Sequence, residues 1–550
     1  MSFDSSHPGE GASPYPPSEP PTYPQQGGGY PPSPAGYPQQ GAYPHQGGHH
    51  ASQGSTEVLP GNVTPSAPTG RRNRGRTAGI VAGVVGAGVL AAGGYLAYAA
   101  VGGGGERADA HLPGTAVAAA MVDLDPSASQ KLAAVRFAQK FPTSKNLDWD
   151  VADKDPRKWV YEQITKDEKS APAWSEVRQW LGQRAGMAVL PPDAGSQEPI
   201  AVIAVQVTDL AKAKASLSKL DGADGKPAGV AGEGDWVIVS DTQAHASAAA
   251  TAAKSDPLSE RQAYADDGKA VGDTGIASVW ADLAGIEKLQ LSPLPTSGLV
   301  TGSGATAKGH GMSVLRFDND ALELAGSFRD LGGAVAPKGK GSAVQVKAPA
   351  EAVGVLSLGG LGDEVAASWT DILDQVNSAQ LTGSKVTTAD LEEQTGLKLP
   401  GDLKALLGEQ LDVIVAGAGA EPAIGVRVDS SAADLDQVLD RATKALSDQG
   451  MEQAPTRTPT GYTWQWGPAI TGLADNGALV SSPAFRAAVP RADGASAVLY
   501  VDIARALEAF GKGMSAEDAA NLAPLQAFGM SASWSEDHTA SYVLRLTAKG

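Results

Sequence analysis

The sequence predicts an α+β protein with a disordered tail, one transmembrane helix, and an ectodomain of two duplicated α+β units with largely antiparallel sheets. Three observations carry this prediction. Residues 1–70 have the composition of a chain without a core, and residues 78–101 form one uncharged apolar run. Four sequence patterns then recur in the same order about 218–226 residues further along the chain.

Residues 1–70 are rich in Pro, Gly, Tyr, Gln and Ser, and they contain four acidic residues but no Lys or Arg. Branched aliphatic residues are almost missing before Val58, so this segment cannot bury a core. It is predicted to be a disordered cytoplasmic tail. A Tyr-Pro pair recurs at Tyr15, Tyr23, Tyr30, Tyr37 and Tyr43. This repeat is typical either of a solvated tether or of a multivalent docking segment.

Residues 71–77 form a basic flank in front of the apolar run, with arginines at Arg71, Arg72, Arg74 and Arg76. The run itself, 78–101, would extend roughly 36 Å as a helix, which is enough to cross a bilayer. Arginines concentrate on the cytoplasmic side of such helices. The N-terminus is therefore predicted to be cytoplasmic, with everything after the transmembrane helix outside the cell membrane.

Two further features of the predicted membrane segment leave alternatives open. Ala97-Tyr98-Ala99 resembles a signal-peptidase cleavage site, although the apolar run is long and many residues precede it. Gly79 and Gly83 form a GxxxG pattern, which can pack two helices into a weak homodimer. Residues 102–112, which begin with four glycines, are predicted to be a flexible linker.

The net charge of −18 falls entirely on residues 102–550, because the acids of the tail are cancelled by the basic flank. A strongly acidic surface argues against nucleic acid as a partner. Cysteine is absent, so disulfides, thiolate metal sites and cysteine nucleophiles are all excluded. The ectodomain must therefore be held together by a core of its own.

Four paired segments indicate that the ectodomain is duplicated. Two of the pairs read as a strand running into an amphipathic helix, and one reads as a hairpin. The pairs are 180–190 with 406–416, 198–220 with 421–446, 277–289 with 496–510, and 310–329 with 528–547. We predict a first copy over 113–333, a linker or crossover over 334–350, and a second copy over 351–550. The hairpins favour antiparallel strands with helices on one face of the sheet.

Residues 112–142, LPGTAVAAAMVDLDPSASQKLAAVRFAQKFP, stand behind the Pro-rich tail and the basic-flanked span, and are followed by WLG and AVL. Together these features resemble the membrane-anchored proteins of high-GC Gram-positive (actinobacterial) cells grouped as domain-of-unknown-function family 3352. The resemblance would cover most of residues 112–550. It implies a membrane-anchored envelope protein, and the family name supplies no activity and no catalytic residues.

No pattern in the ectodomain predicts a catalytic, cofactor or metal site. Its four histidines, which have no metal-ligand spacing, are His111, His245, His310 and His538. No GxSxG elbow occurs, and the SxxK match at Ser216–Lys219 has no KTG element to accompany it. The glycine-rich segment 302–309 lacks the GK[ST] ending of a phosphate loop.

Tyr462, Trp464 and Trp466 alternate along one predicted strand, so their side chains share one face. An exposed aromatic face of this kind can contact a sugar ring or a partner peptide. The same spacing also suits three large anchors of the core. Of these two interpretations, burial of the three side chains in the core is favoured.

These observations predict a non-catalytic, membrane-anchored cell-envelope protein whose extracytoplasmic domain binds a protein or an envelope component. Two alternatives remain. One is a cryptic hydrolase of envelope material whose catalytic groups are too scattered to form a motif. The other is an assembly scaffold that acts through the tail and the transmembrane helix.

Overall fold

In a computed structural model of the chain, the described residues are 105–141, 155–165, 171–223, 226–289, 307–333, 341–378, 385–417, 422–450, 453–475, 477–511 and 513–549. Contacts divide the chain into Met1–Pro68 and Thr69–Gly550, and every described residue belongs to the second unit. The predicted tail, basic flank and transmembrane helix lie outside the described residues. Within the described part of the chain, no helix has the length and apolar character needed to span a membrane.

The strands of the first half alternate apolar and polar positions or are apolar throughout, as expected for a sheet that is packed against other elements. They are β1 (Ala118–Asp123), β2 (Leu181–Leu190), β3 (Ile200–Val207), β4 (Gly229–Glu233), β5 (Trp236–Ser240), β6 (Ala277–Asp282), β7 (Ala307–Asp318) and β8 (Ala321–Gly333).

The strands of the second half follow in the same sequence of long and short elements. They are β9 (Gly354–Gly359), β10 (Gln410–Ala416), β11 (Ala423–Asp429), β12 (Thr456–Thr458), β13 (Gly461–Trp466), β14 (Ala497–Asp502), β15 (Leu525–Trp534) and β16 (Ala540–Ala548).

Helices connect the strands of both halves. In the first half they are α1 (Ala128–Gln139), α2 (Pro156–Thr165), α3 (Trp174–Val177), α4 (Leu210–Leu217), α5 (Gln243–Ser255), α6 (Gln262–Val271) and α7 (Leu283–Lys288). In the second half they are α8 (Leu361–Ala367), α9 (Trp369–Ser378), α10 (Thr388–Thr395), α11 (Gly401–Leu407), α12 (Leu435–Ser447), α13 (Pro483–Ala488), α14 (Ile503–Phe510) and α15 (Ala516–Leu522). Short 3₁₀ helices lie at Ala108–His111, Leu258–Glu260 and Leu479–Ser481.

The sixteen strands of the described residues form one sheet, in the order β12-β13-β11-β10-β9-β14-β15-β16-β8-β7-β6-β1-β2-β3-β5-β4. The order of the second half from β12 to β16 matches that of the first half from β4 to β8. The halves meet where β8 pairs with β16, and there Ala325 lies opposite Val543. Every strand pairing is antiparallel, which confirms the predicted sheet type, but the two halves share one sheet instead of forming two.

Backbone contacts outside the strands also correspond between the halves. In the first half the Leu258 amide donates to the Leu112 carbonyl, and in the second the Leu479 amide donates to the Ala348 carbonyl. Asp282 and Asp502 each accept a hydrogen bond from a backbone amide in the first turn of the helix that follows, α7 and α14 respectively. Such caps satisfy an amide that has no partner inside its helix.

Helices cover both faces of the sheet, so the expectation of helices on one face was wrong. Strand β5 shows why, because its side chains point alternately to opposite faces. Trp236 and Ile238 pack in a core with Ala249 of α5, whereas Val237 and Val239 pack with α4. The fully apolar sequence of β5 is that of a strand buried on both faces.

The segment predicted as a linker or crossover takes part in the core. Of 334–350, residues 341–350 are described, and Val344, Val346 and Ala348 are buried in the core of the second half. These residues precede β9 in the second half, in the same way that Leu112 precedes β1 in the first half. The core of the second half therefore includes residues that precede its predicted start at residue 351.

Candidate functional site

The three aromatic residues singled out in the sequence lie on β13, and their exposure differs. Tyr462 is buried and its hydroxyl donates to the Leu406 carbonyl at 2.7 Å, so burial raises its pKa. Trp464 packs against the same core cluster and is half-buried. Trp466 stacks on Trp464, with ring centroids 5.6 Å apart and planes at 18°. Tyr462 is thus a core residue, while the two tryptophans retain partial exposure.

A polar cavity of about 610 Å³ opens on the opposite face of the same strand. The residues around it supply hydroxyls, carboxamides, one carboxylate and an aliphatic wall. They include Thr456, Thr463, Gln465, Ile470, Leu473 and Asp475. Gln465 also holds the neighbouring turn, because its Oε1 accepts a hydrogen bond from the Ile470 amide at 3.4 Å. The cavity therefore has a polar floor formed by β13 and a wall formed by residues 470–475.

The corresponding place in the first half is filled by a helix. There α5 packs over β3, β4 and β5, and the side chains beneath it include Trp236 and Ile238. The strand pairings equate Ile238 with Thr463 and Ser240 with Gln465. In the second half a turn at residues 471–475 stands in place of a helix. The second half thus combines polar strand residues with an open surface where the first half has an apolar, covered one.

Charged residues lie buried in the sheet next to this cavity. Thr463 is paired with Arg427, Arg427 with Asp412, and Asp412 with Ser357, so the four form one row on a single face. Exposure falls along the row, from 7% at Thr463 and 4% at Arg427 to 1% at Asp412. The Arg427 guanidinium donates to the carbonyl of Asp475, a residue of the cavity rim.

Asp412 and Arg427 lie in unusual electrostatic surroundings. Burial raises the pKa of Asp412 from 3.8 to about 6, although Ser357 and Gln410 donate hydrogen bonds to its carboxyl. Arg427 Nε is buried and donates to no described residue, and it lies 3.8 Å from Asp429 Oδ1. Burial also acts on Asp429, but hydrogen bonds from Lys347 and Thr460 lower the pKa of that carboxyl. Buried charges with perturbed pKa values beside a cavity are typical of functional sites.

A second polar cluster lies in the first half, beneath α6. Asp267 is fully buried, and its Oδ2 accepts a hydrogen bond from Trp280 Nε1 at 2.9 Å and lies 2.6 Å from His310 Nδ1. His310 Nε2 points to the exposed Asp330, whose Oδ2 is 3.2 Å away. Asp330 has a φ of +54°, which is uncommon for a residue other than glycine.

Among its described residues, the second half has no corresponding cluster. The Tyr264–Trp280 ring contact has its counterpart in Phe485–Tyr500, and the pairing of β14 with β15 puts Ala527 where His310 stands. Among the hydrogen bonds of the described residues, none joins His310 to a hydroxyl nucleophile. Asp267 therefore orients the His310 ring, and no described hydroxyl lies within hydrogen-bond distance of that ring to act as a nucleophile.

The other three histidines of the described residues serve local structure. His111 stacks on Trp236 with centroids 4.3 Å apart, His245 lies between Asp193 and Asp241, and His538 occupies the turn between β15 and β16. No group of three or more metal-ligating side chains occurs in the part of the chain that the structure describes.

Sequence reasoning missed Asp412, Arg427 and Gln465. A signal was present, because charged residues at inward positions of apolar strands are rarely placed there by packing alone. It pointed to burial, and only the structure shows that Gln465 lines an open cavity, that Arg427 contacts the cavity residue Asp475, and that Asp412 lies one strand further in. The arginines of the basic flank lie outside the described residues.

Comparisons of this chain with protein-family models, with curated proteins and with solved structures find no match in any of the three.

Proposed function

We propose that this chain is a non-catalytic binding protein of the cell envelope, anchored by residues 78–101 and presenting its folded part outside the membrane. One observation carries the binding role. The second half leaves a polar cavity of about 610 Å³ open beside buried charges, at the place that the first half covers with α5. Buried charges next to an open surface lower the stability of a fold. Proteins commonly keep such charges where they serve a function.

We also propose that the two halves arose by duplication and that only the second kept or gained the ligand site. The matching strand orders support this, as do the paired backbone contacts of Leu258 and Leu479. The resemblance to family 3352 is consistent with an anchored envelope protein and leaves the ligand open.

The binding role is tested by photo-crosslinking the full chain in its own cells. A photoreactive amino acid replaces Thr456 at the exposed rim of the cavity, and the control replaces the exposed Ala248 of α5. We expect adducts with an envelope component from position 456 and none from position 248. Equal adduct patterns from both positions, or none from either, would overturn the proposal.

The orientation is tested with single cysteines, since the natural chain has none. Ser255→Cys is exposed at the end of α5, and Ser5→Cys lies in the tail. In intact cells a membrane-impermeant maleimide should label position 255 and reach position 5 only after permeabilisation. Labelling of position 5 in intact cells would contradict a cytoplasmic tail.

A hydrolase is the second candidate, favoured by the Asp267–His310 pair. A buried carboxylate that orients a histidine supports a general base, and here the outer ring nitrogen would act on water once it parts from the exposed Asp330. His310→Gln should then abolish release of products from wall or lipid ester substrates, while His538→Gln in the turn should not. Unchanged turnover in the first variant would exclude this role for His310.

A further inference from the structure

The chain enters its fold only a few residues after the proposed membrane anchor. The described residues begin at Gly105, four peptide steps after Val101, where the proposed anchor ends. Four steps reach at most about 14 Å. Residues 105–112 fall within the predicted flexible linker, but they pack against the fold, and Ala108 and Leu112 are buried in its core. The part of the folded domain around Gly105 must therefore lie close to the bilayer that the anchor crosses.

Ionic contacts join this entry point to the first turns of α1. Gly105 has a φ of +106°, and a Cβ on it would lie 3.2 Å from Arg184 Nη1. The Arg184 guanidinium donates to Asp123 Oδ1 at 3.1 Å and to the Asp125 carbonyl at 2.8 Å. The Lys131 ammonium of α1 in turn donates to the Asp125 carboxylate. The entry of the chain and α1 therefore lie at the same end of the sheet.

The strand registers show which other elements share this end. Strands β1 and β7 end there, at Asp123 and Asp318, and β16 ends beside them at Ala548. Ala548 is paired with Leu525, where β15 begins, and β14 ends nearby at Asp502. The connection between β14 and β15, which contains α14 and α15, therefore begins and ends at the end of the sheet where the chain enters.

Large apolar side chains are exposed at this end. Leu132 of α1 is 52% exposed and Phe510 of α14 is 49% exposed, which makes them the two most exposed large apolar residues of the described part of the chain. Met514 follows α14 and is exposed as well. Along α14, Ile503, Leu507 and Phe510 recur at helical spacing, and none of the three is buried. The two helices thus present an apolar surface next to the membrane anchor.

The charge of α1 also differs from that of the folded part as a whole. Residues 102–550 carry a net charge of −18, but α1 contains Lys131 and Arg136 and no acidic residue. Arg136 is exposed four residues after Leu132, so the two side chains lie on the same side of the helix. This pairing suits a lipid interface, because the apolar side chain can enter the acyl region while the long cationic one reaches the headgroup phosphates.

We propose that this end of the sheet docks on the bilayer that the anchor crosses. Leu132, Phe510 and Met514 enter the lipid surface, and Arg136 lies among the headgroup phosphates. The short connection to the anchor makes the contact intramolecular, so a few side chains suffice to hold it. The inference rests on the proposed anchor and adds the surface that faces the membrane.

The test reconstitutes the full-length chain in vesicles of phosphatidylcholine and phosphatidylglycerol. Because the natural chain has no cysteine, a fluorophore is attached to Leu132→Cys, to Phe510→Cys or to the control Ala248→Cys. Ala248 is exposed on α5, which packs on the opposite face of the sheet from α1. Nitroxide-labelled acyl chains should quench the first two positions at least threefold more strongly than the control. Equal quenching at all three positions would overturn the docking.

Added charges test the apolar contact directly. Leu132→Asp combined with Phe510→Asp should at least halve the quenching of a fluorophore attached to Met514→Cys. Ala248→Asp combined with Ser255→Asp adds the same charge at exposed positions of α5 and should leave that quenching unchanged. Unchanged quenching with the first pair of substitutions would contradict the docking.

Extraction with alkaline carbonate separates this inference from the anchor on which it rests. We expect the chain to stay with the vesicles. A chain that stays, but whose position 132 is quenched no more than position 248, keeps the anchor and loses the docking. Release of the chain by carbonate would overturn the anchor at 78–101 and the docking together.

Discussion

Asp412 shows at the scale of one residue how a strand can carry a charge in the middle of a sheet. Its neighbours across the strands are Ser357 and Arg427, and Gln410 on the same strand donates to it. These donors stabilise the carboxylate, but desolvation acts in the opposite direction and prevails. The pKa of Asp412 is therefore higher in the folded state than in the unfolded state.

The raised pKa of Asp412 predicts a pH-dependent loss of stability. Below about pH 3.8 the carboxyl is protonated in both the folded and the unfolded state. As the pH rises from there to about 6, the carboxyl ionises in the unfolded state but not yet in the folded state, so the free energy of unfolding falls. Above about pH 6 it is ionised in both states, and the free energy of unfolding levels off. At about 1.4 kcal/mol per pKa unit this amounts to roughly 3 kcal/mol. The stability advantage of Asp412→Asn over the natural chain should therefore grow by about 3 kcal/mol as the pH rises from 3.8 to 7.5.

Urea unfolding across this pH range measures the effect. Asp440→Asn, at an exposed position of α12, is the control for losing one charge. A stability difference between Asp412→Asn and the natural chain that stays constant with pH would show that this carboxyl ionises normally.

At the scale of elements, three central strands are joined by one ionic group. Glu323 of β8 is buried and lies between Arg316 of β7 and Arg545 of β16. Arg316 Nε donates to Glu323 Oε1 at 2.8 Å, and Arg545 Nε is 3.4 Å from Oε2. This group spans the junction of the two halves, which no sequence repeat indicates.

Removing Glu323 should be strongly destabilising. Glu323→Ala leaves two largely buried guanidinium groups without their shared carboxylate, and such a loss costs about 3–5 kcal/mol. Chemical denaturation of this variant, with the exposed Glu508→Ala of α14 as the control, measures the difference. A change below about 1 kcal/mol would mean that the arginines find other partners, as is usual for exposed ion pairs.

At the scale of the whole molecule, the predicted antiparallel α+β class was correct and the layout was not. Alternating patterns such as QLDVIVA reveal a strand locally, but the pairing of β8 with β16 joins residues more than 200 positions apart and has no local signal. Register was a second limit. The sequence match equates Met312 with Met530, whereas strand pairing equates Met312 with Gly529, and a shift of one residue reverses the face.

The candidate site was missed for a related reason. Tyr462, Trp464 and Trp466 were correctly placed on one face of a strand, and the core interpretation holds for Tyr462. The cavity lies on the other face, where Thr463 and Gln465 have no distinctive pattern. Its existence depends on the described turn at residues 471–475, which lies where α5 lies in the first half, and this difference is visible only when the two halves are compared in space.

A continuous sheet predicts that the two halves unfold together. Core clusters cross the junction, since Val543 packs with first-half residues such as Val314, and Ala548 packs with Leu315 and Phe317. Calorimetry of the natural chain should show one main transition, and Trp280→Leu in the first half should shift it as a whole. Two transitions, of which only one moves, would show that the halves are independent.

The strand order also has a mechanical consequence. The chain enters the sheet at β1, and β12 lies eleven strand steps away, about 50 Å at roughly 4.8 Å per step. Tension between a fixed N-terminal end and a ligand held in the cavity beside β13 would therefore act across these ladders and load the hydrogen bonds between strands in series.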